Sequence, residues 1–195
     1  MQAHLAVRDI ACRRGDRLLF RGLSASLKPG EALHITGPNG SGKSSLLRIL
    51  AGLLRPAAGS VNRTGAIGLI DERTALPENR TLEQALGFWA RIDAAQARGR
   101  SADLATLRLR HLTHVPVRYL STGQRKRAAM CRLLWQNAAI WLLDEPLNGL
   151  DDEGVAAFVN LVTAHLAAGG ICVVTSHRTL ELPNLRRTDL IQFAL

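Results

Sequence analysis

Gly37-Pro38-Asn39-Gly40-Ser41-Gly42-Lys43-Ser44 satisfies the pattern G-x-x-x-x-G-K-[ST], with the apolar run Ala32-Leu33-His34-Ile35 before it and the helical pattern Ser45-Leu46-Leu47-Arg48-Ile49-Leu50 after it. A strand, a glycine-rich loop and a helix are therefore expected in succession. The glycines allow the backbone to curl until successive N–H groups point inward, and the helix adds the positive end of its dipole, so the loop forms a nest for a chain of phosphates. In such a nest Lys43 reaches the β- and γ-phosphates and Ser44 a magnesium ion.

The 195 residues suit one domain with a sizeable core. No apolar run has the length needed to span a bilayer, and Met1-Gln2-Ala3-His4-Leu5-Ala6-Val7-Arg8-Asp9 does not read as a signal peptide. The expectation is a cytosolic protein unless a partner holds it at a membrane. Cys12, Cys131 and Cys172 are far apart and have apolar neighbours, which suits reduced thiols, and no structural metal is expected. The net charge of +9 is concentrated between Arg98 and Arg132, where Asp103 is the one acid. Only Tyr119 interleaves those charges with an aromatic ring, so the segment reads as a solvated face and not as a specific reader of nucleic acid.

Residues 3–9 and 17–27 alternate partially and read as two strands, closed by Pro29-Gly30. Beyond the loop and its helix, Gly52 and Pro56 stop regular structure, and Ala66-Ile67-Gly68-Leu69-Ile70 reads as a further strand. Thr81-Leu82-Glu83-Gln84 has the form of a capping box opening a helix through about Arg91, and 102–112 forms a second helical stretch. These helices interrupt a strand-helix-strand order and suggest a helical lobe inserted at about 73–130. Leu120-Ser121-Thr122-Gly123-Gln124 opens a helix through Trp135. The unbroken apolar run 138–143 reads as a strand buried on both faces of a parallel sheet, ending in Asp144-Glu145-Pro146. A helix with the stripe Val155, Phe158, Val159, Val162 and Leu166 follows the acidic turn Asp151-Asp152-Glu153. A last core strand, Ile171-Cys172-Val173-Val174, leads to Thr175-Ser176-His177. The expected fold is α/β over 1–195, a mostly parallel sheet with an antiparallel β edge.

A strand ending in two acids supplies what a phosphate loop lacks. Asp144 can hold the magnesium shell, and Glu145 can orient or deprotonate an attacking water. With LSTGQ at 120–124 before the acids and His177 after the next strand, nearly the whole chain resembles the ATP-binding subunits of ABC transporters, a branch of the P-loop NTPases. The resemblance implies ATP and Mg2+ as ligands. It makes Gly37 to Ser44, with Ser45 beside them, the Walker A nucleotide-binding loop, and Ile140 to Asp144 the Walker B strand. It makes Glu145 the catalytic carboxylate, Asn148-Gly149-Leu150-Asp151 the D-loop, and His177 the switch histidine. Ser121, Thr122, Gly123 and Gln124 become the signature motif, with Ser121 and Gly123 acting on ATP held by a second copy bound head to tail.

Within that family, Cys12 to Leu27, Val115 to Arg127 and Gly169-Gly170-Ile171 resemble the ATP-binding subunits of haem exporters in cytochrome c maturation. That likeness implies integral membrane partner subunits and a place on the cytoplasmic face of a bacterial inner membrane. Two positions depart from the family pattern. Arg13 or Arg14 stands where an aromatic commonly stacks on adenine, and Ile70 or Arg73 where a Gln follows the strand, with Asp71 and Glu72 as chemical substitutes. An alternative within reach of the same motifs is a soluble ABC-type ATPase of iron-sulfur cofactor assembly. A DNA-repair ATPase fits less well, because its motif halves are separated by long coiled coils.

Overall fold

In the computed structural model, residues 2–93 and 100–194 are described. The runs of apolar residues between Ala32 and Val174 become the centre of a five-stranded parallel sheet, because only a strand covered on both faces can keep every residue apolar. Its strands are β3 (Ala32–Thr36), β5 (Ile67–Ile70), β6 (Ile140–Asp144), β7 (Ile171–Thr175) and β8 (Leu185–Asp189), in the order β5-β6-β7-β3-β8. Every residue of β6 and β7 is buried.

Alternation along these strands divides the interior into two cores. Leu33, Ile35, Ile140, Leu142, Ile171 and Val173 face helix α1 (Lys43–Ala51) and the antiparallel sheet of β1 (His4–Arg14), β2 (Arg17–Leu27) and β4 (Ala58–Thr64), in the order β2-β1-β4. Trp141, Leu143, Cys172 and Val174 face the other way, packing with residues of α2 (Leu82–Ile92), α4 (Thr122–Trp135) and α5 (Asp152–Ala167). Burial of a large apolar side chain is worth about 1.5–3 kcal/mol, so the two layers fix the strand ends that carry the acids. All three cysteines are buried and free. Burial raises the Cys172 thiol to about 12, which makes it a poor nucleophile.

The expected strands and helices are present, with three corrections. β4 follows the stretch where Gly52 and Pro56 were read as ending regular structure, and β8 lies beyond the last strand that was expected. Both are edge strands, mostly exposed or half-buried, and therefore lack the apolar run that marks a central strand. β1 extends past Asp9, which has a φ of +48 where the register shifts. The helix expected over 102–112 is instead α3 (Arg100–Thr106) and a 3₁₀ turn at Arg110–Leu112. The break falls at Arg108, whose φ of +54 no helix accommodates. The capping box of α2 forms as expected, Thr81 accepting from the Gln84 N–H and Gln84 from the Thr81 N–H.

Candidate nucleotide site

Helix α1 begins at Gly42, whose φ of +104 and lack of a side-chain cap leave the first-turn N–H groups directed at the loop in front of them. A Cβ on Gly42 would lie 3.1 Å from the Phe20 ring, so strand β2 as well as the backbone conformation demands glycine here. The Lys43 ammonium, only 7% exposed, folds back to donate to the carbonyls of Gly37 at 2.8 Å and Pro38 at 3.2 Å. Burying a cation against two neutral carbonyls leaves its charge largely uncompensated, an arrangement suited to an incoming anion. The Ser41 hydroxyl, also buried, has no hydrogen-bond partner.

The acids stand at the end of β6. Asp144 is 2% exposed, its Oδ1 accepting from the Thr175 hydroxyl at 2.7 Å, while its buried Oδ2 has no partner. Glu145 follows with a φ of +44, a conformation costing about 1–3 kcal/mol in a residue with a side chain. Its N–H donates to both the carbonyl (3.1 Å) and the hydroxyl (3.0 Å) of Thr175. Glu145 Oε1 lacks an aligned donor although His177 Nε2 is 3.3 Å away, because the ring nitrogen is engaged with Asn39 Oδ1 at 3.2 Å. Strained backbone and unpartnered carboxylate oxygens are where binding or catalysis is to be sought.

Lys43, Ser44, Asp144, Glu145 and His177 line one cavity of about 720 Å³, together with Asn39, Gly40, Gly42 and Ser45. Leu19 of β2 lines it too; Arg13 and Arg14 are exposed on the β1-β2 hairpin. Ser121, Gly123, Gln124 and Asp151 are not among its lining residues, though Thr122 is. Ser121 caps α4, accepting from the Gln124 N–H at 3.2 Å while Gln124 Oε1 accepts from the Ser121 N–H at 2.8 Å. Ser121 is exposed, whereas Gly123 is buried so tightly that a Cβ would stand 2.2 Å from the Gly149 carbonyl. Asp151 caps α5 through the Gly154 N–H at 2.9 Å.

One lining residue corrects the sequence reading, which took the cations of 98–132 for a solvated face. Lys126 of α4 is 5% exposed and donates to the Asp144 carbonyl at 3.1 Å, with the Asp71 carbonyl at 3.5 Å. Burial pushes its pKa below the ordinary lysine value, against the opposing pull of Asp144, Asp71, Glu72 and Glu145. Its signal was its place on the stripe Gly123, Lys126, Met130 and Leu133, a helical spacing whose members are all buried. Asp71, one of the two acids in the segment without the expected Gln, is engaged by Arg48 of α1 through a two-toothed contact at 2.9–3.1 Å.

Residues 20–148 match the ABC transporter family. The chain belongs to that family. It is 55% identical over 189 residues to the cytochrome c biogenesis ATP-binding export protein CcmA of Novosphingobium aromaticivorans, covering 97% of this chain and 96% of the relative. The protein of the same name from Sphingopyxis alaskensis is 50% identical, with 95% of each chain covered. Among solved structures, an ABC transporter ATP-binding protein from Pyrococcus furiosus superposes with a TM-score of 0.86 at 21% identity, covering 98% of this chain and 100% of that one. An ATP-binding cassette dimer in a post-hydrolysis state with ADP and phosphate superposes at 0.78, with 24% identity and coverage of 89% and 88%. This ABC protein therefore has the ATPase fold of its family and is an ATP hydrolase. No helix among the described residues is long and apolar enough to cross a membrane.

Proposed function

We propose that this chain is the ATP-hydrolysing subunit of an exporter serving bacterial cytochrome c biogenesis, with haem as the cargo of the export or release step. The observation that carries the enzymatic part is the pairing, across one cavity, of a phosphate loop with two acids whose outer oxygens lack partners. The export role is supported by the near full-length likeness to proteins named for it.

Phosphate oxygens are received by the α1 N–H groups of the loop from Gly37 to Ser45 and by Lys43, which exchanges its loop carbonyls for a charged partner. The unpartnered Asp144 Oδ2 fits a cation, so Ser44 and Asp144 would hold Mg2+. That ion would supply charge neutralisation of the phosphates when bound. Glu145 Oε1 accepts the proton of the attacking water, and the His177 ring, hydrogen-bonded to Asn39 and 3.3 Å from Oε1, limits where the carboxylate can swing.

Exposed Ser121, at the positive end of α4, meets the terminal phosphate held by a second copy bound head to tail, with Thr122, Gly123 and Gln124 shaping that turn and Asp151 of the D-loop beside it. Residues of about 73–130 act as the helical lobe that brings Ser121 to the partner. A second cavity of about 490 Å³, lined by Leu69, Asp71, Arg73, Trp89 and Arg132, is the seat of an integral membrane subunit, which holds the chain at the cytoplasmic face of the inner membrane.

The test is phosphate release from Mg-ATP by the purified chain, joined to affinity capture from detergent extracts. Turnover with recovery of an integral membrane protein is expected. Recovery of soluble scaffold proteins alone would replace export with cofactor assembly.

A further inference from the structure

Lys126 is a buried cation that the phosphate-binding machinery above does not use. Its contacts single out one peptide unit. The carbonyl of Asp144 and the N–H of Glu145 belong to the same planar group, and the two sides are held by different elements. Thr175 of β7 takes the N–H, at 3.1 Å to its carbonyl and 3.0 Å to its hydroxyl. Lys126 of α4 takes the carbonyl, at 3.1 Å. The peptide that immediately precedes the Glu145 side chain is thus clamped from both directions, and Glu145 itself has the unfavourable φ of +44.

A left-handed glutamate relaxes unless its surroundings hold it, since the conformation is strained by about 1–3 kcal/mol. A methionine of similar length would fill the α4 stripe among Met130 and Leu133 without the desolvation that a buried ammonium carries. Stability alone therefore does not account for lysine at this position. The ammonium also stands among Asp144, Glu145, Asp71 and Glu72, so its charge offsets the repulsion between acids crowded at the ends of β5 and β6.

We propose that Lys126 is a positioning residue for ATP hydrolysis, clamping the 144–145 peptide so that the Glu145 carboxylate faces the phosphate loop. The proposal rests on the role given to Glu145 above. It also ties hydrolysis to the seat of α4: the helix whose first turn presents Ser121 is the helix that aims Glu145 in its own chain. The second contact reinforces the tie. Lys126 reaches the Asp71 carbonyl at 3.5 Å, and the Asp71 carboxylate grips Arg48 on the phosphate-loop helix.

The experiment compares Lys126→Met and Lys126→Arg with wild type in ATP titrations and steady-state phosphate release. For the Met variant kcat should fall at least about 20-fold while KM and ATP affinity stay within about twofold, the signature of a lost alignment and not of lost binding. The Arg variant, which keeps charge and donors, should recover to within about threefold of wild type. If the Met variant does not fold, Lys126→Gln, neutral but still an N–H donor, serves in its place, with a loss of at least about fivefold in kcat expected. A neutral variant with kcat within threefold of wild type, or one whose KM rises in step with the fall in kcat, overturns the proposal. Wild-type protein that binds no ATP would overturn the functional reading itself and the role of Lys126 with it.

Discussion

His177 Nε2 lies 3.3 Å from Glu145 Oε1, and the His177 N–H lies 3.4 Å from Oε2 of the same carboxylate. The two residues lie just beyond the ends of adjacent parallel strands, β6 and β7, whose register pairs Asp144 with Thr175 and so delivers both side chains to one rim of the cavity. The imidazole also reaches Asn39 in the phosphate loop, at 3.2 Å. His177→Ala should free the carboxylate to adopt unproductive rotamers, at the loss of one bond to the loop, to Asn39, while leaving Lys43 and its contacts intact. The expected result is a fall in kcat of at least about tenfold, with ATP affinity within about threefold, read by phosphate release and nucleotide titration.

Removing the charge of Glu145 should separate binding from turnover. Glu145→Gln preserves shape but cannot accept the water proton, so hydrolysis should fall by at least about a hundredfold while ATP still binds. On the proposed head-to-tail pairing, ATP trapped between two copies prolongs the contact made by Ser121. Gel filtration with Mg-ATP should show more dimer for Glu145→Gln than for wild type, and Ser121→Arg added to it should abolish that dimer by placing bulk at the α4 N-terminus.

Lys43→Ala removes the cation proposed to meet the phosphates and also the ties from the ammonium to the Gly37 and Pro38 carbonyls. Charge-assisted contacts of this kind are roughly twice as strong as neutral ones, and with the loop's one lysine gone a loss in ATP affinity of at least about a hundredfold is expected in a direct titration. Near wild-type affinity would remove Lys43 from the site.

Much of this was legible in the residues. The parallel core could be read because β6 and β7 are apolar up to the Asp144 and Thr175 that end them, and the loop in front of α1 because its glycines and lysine form a spaced pattern. The edge strands could not. β4 is Ala-Gly-Ser-Val-Asn-Arg-Thr, held by its ladder to β1 and hardly at all by burial, so its signal lies in pairing that no local window contains. Lys126 was hidden for a related reason. In a stretch crowded with arginines it reads as one more solvated cation, and only the crossing of α4 beneath the ends of β5 and β6 makes it a buried one. The strain at Glu145 likewise arises where a strand must turn beside Thr175, a relation between chain segments about thirty residues apart.

A last expectation concerns acid stability. The His165 ring of α5 stacks on Trp141 of β6, with centroids 3.9 Å apart and planes 7° from parallel, and its Nε2 lies 3.2 Å from the Ile171 carbonyl. Burial pushes the imidazole pKa below its ordinary value, while hydrogen bonding to Ile171 and Ala139 carbonyls opposes the shift only partly. In the unfolded chain the ring takes up a proton near the ordinary value of about 6.5, so the unfolded state binds more protons than the folded one just below that pH. The contribution of neutral His165 is therefore fully present above about pH 6.5 and is lost as pH falls toward the depressed folded value. His165→Phe keeps a flat ring on Trp141 but cannot be protonated. Thermal unfolding midpoints measured between pH 7.5 and 5.5 should fall more steeply for wild type than for His165→Phe, although the variant starts lower at pH 7.5 for want of the bond to Ile171. Parallel slopes for the two proteins would show that His165 does not gain a proton on unfolding.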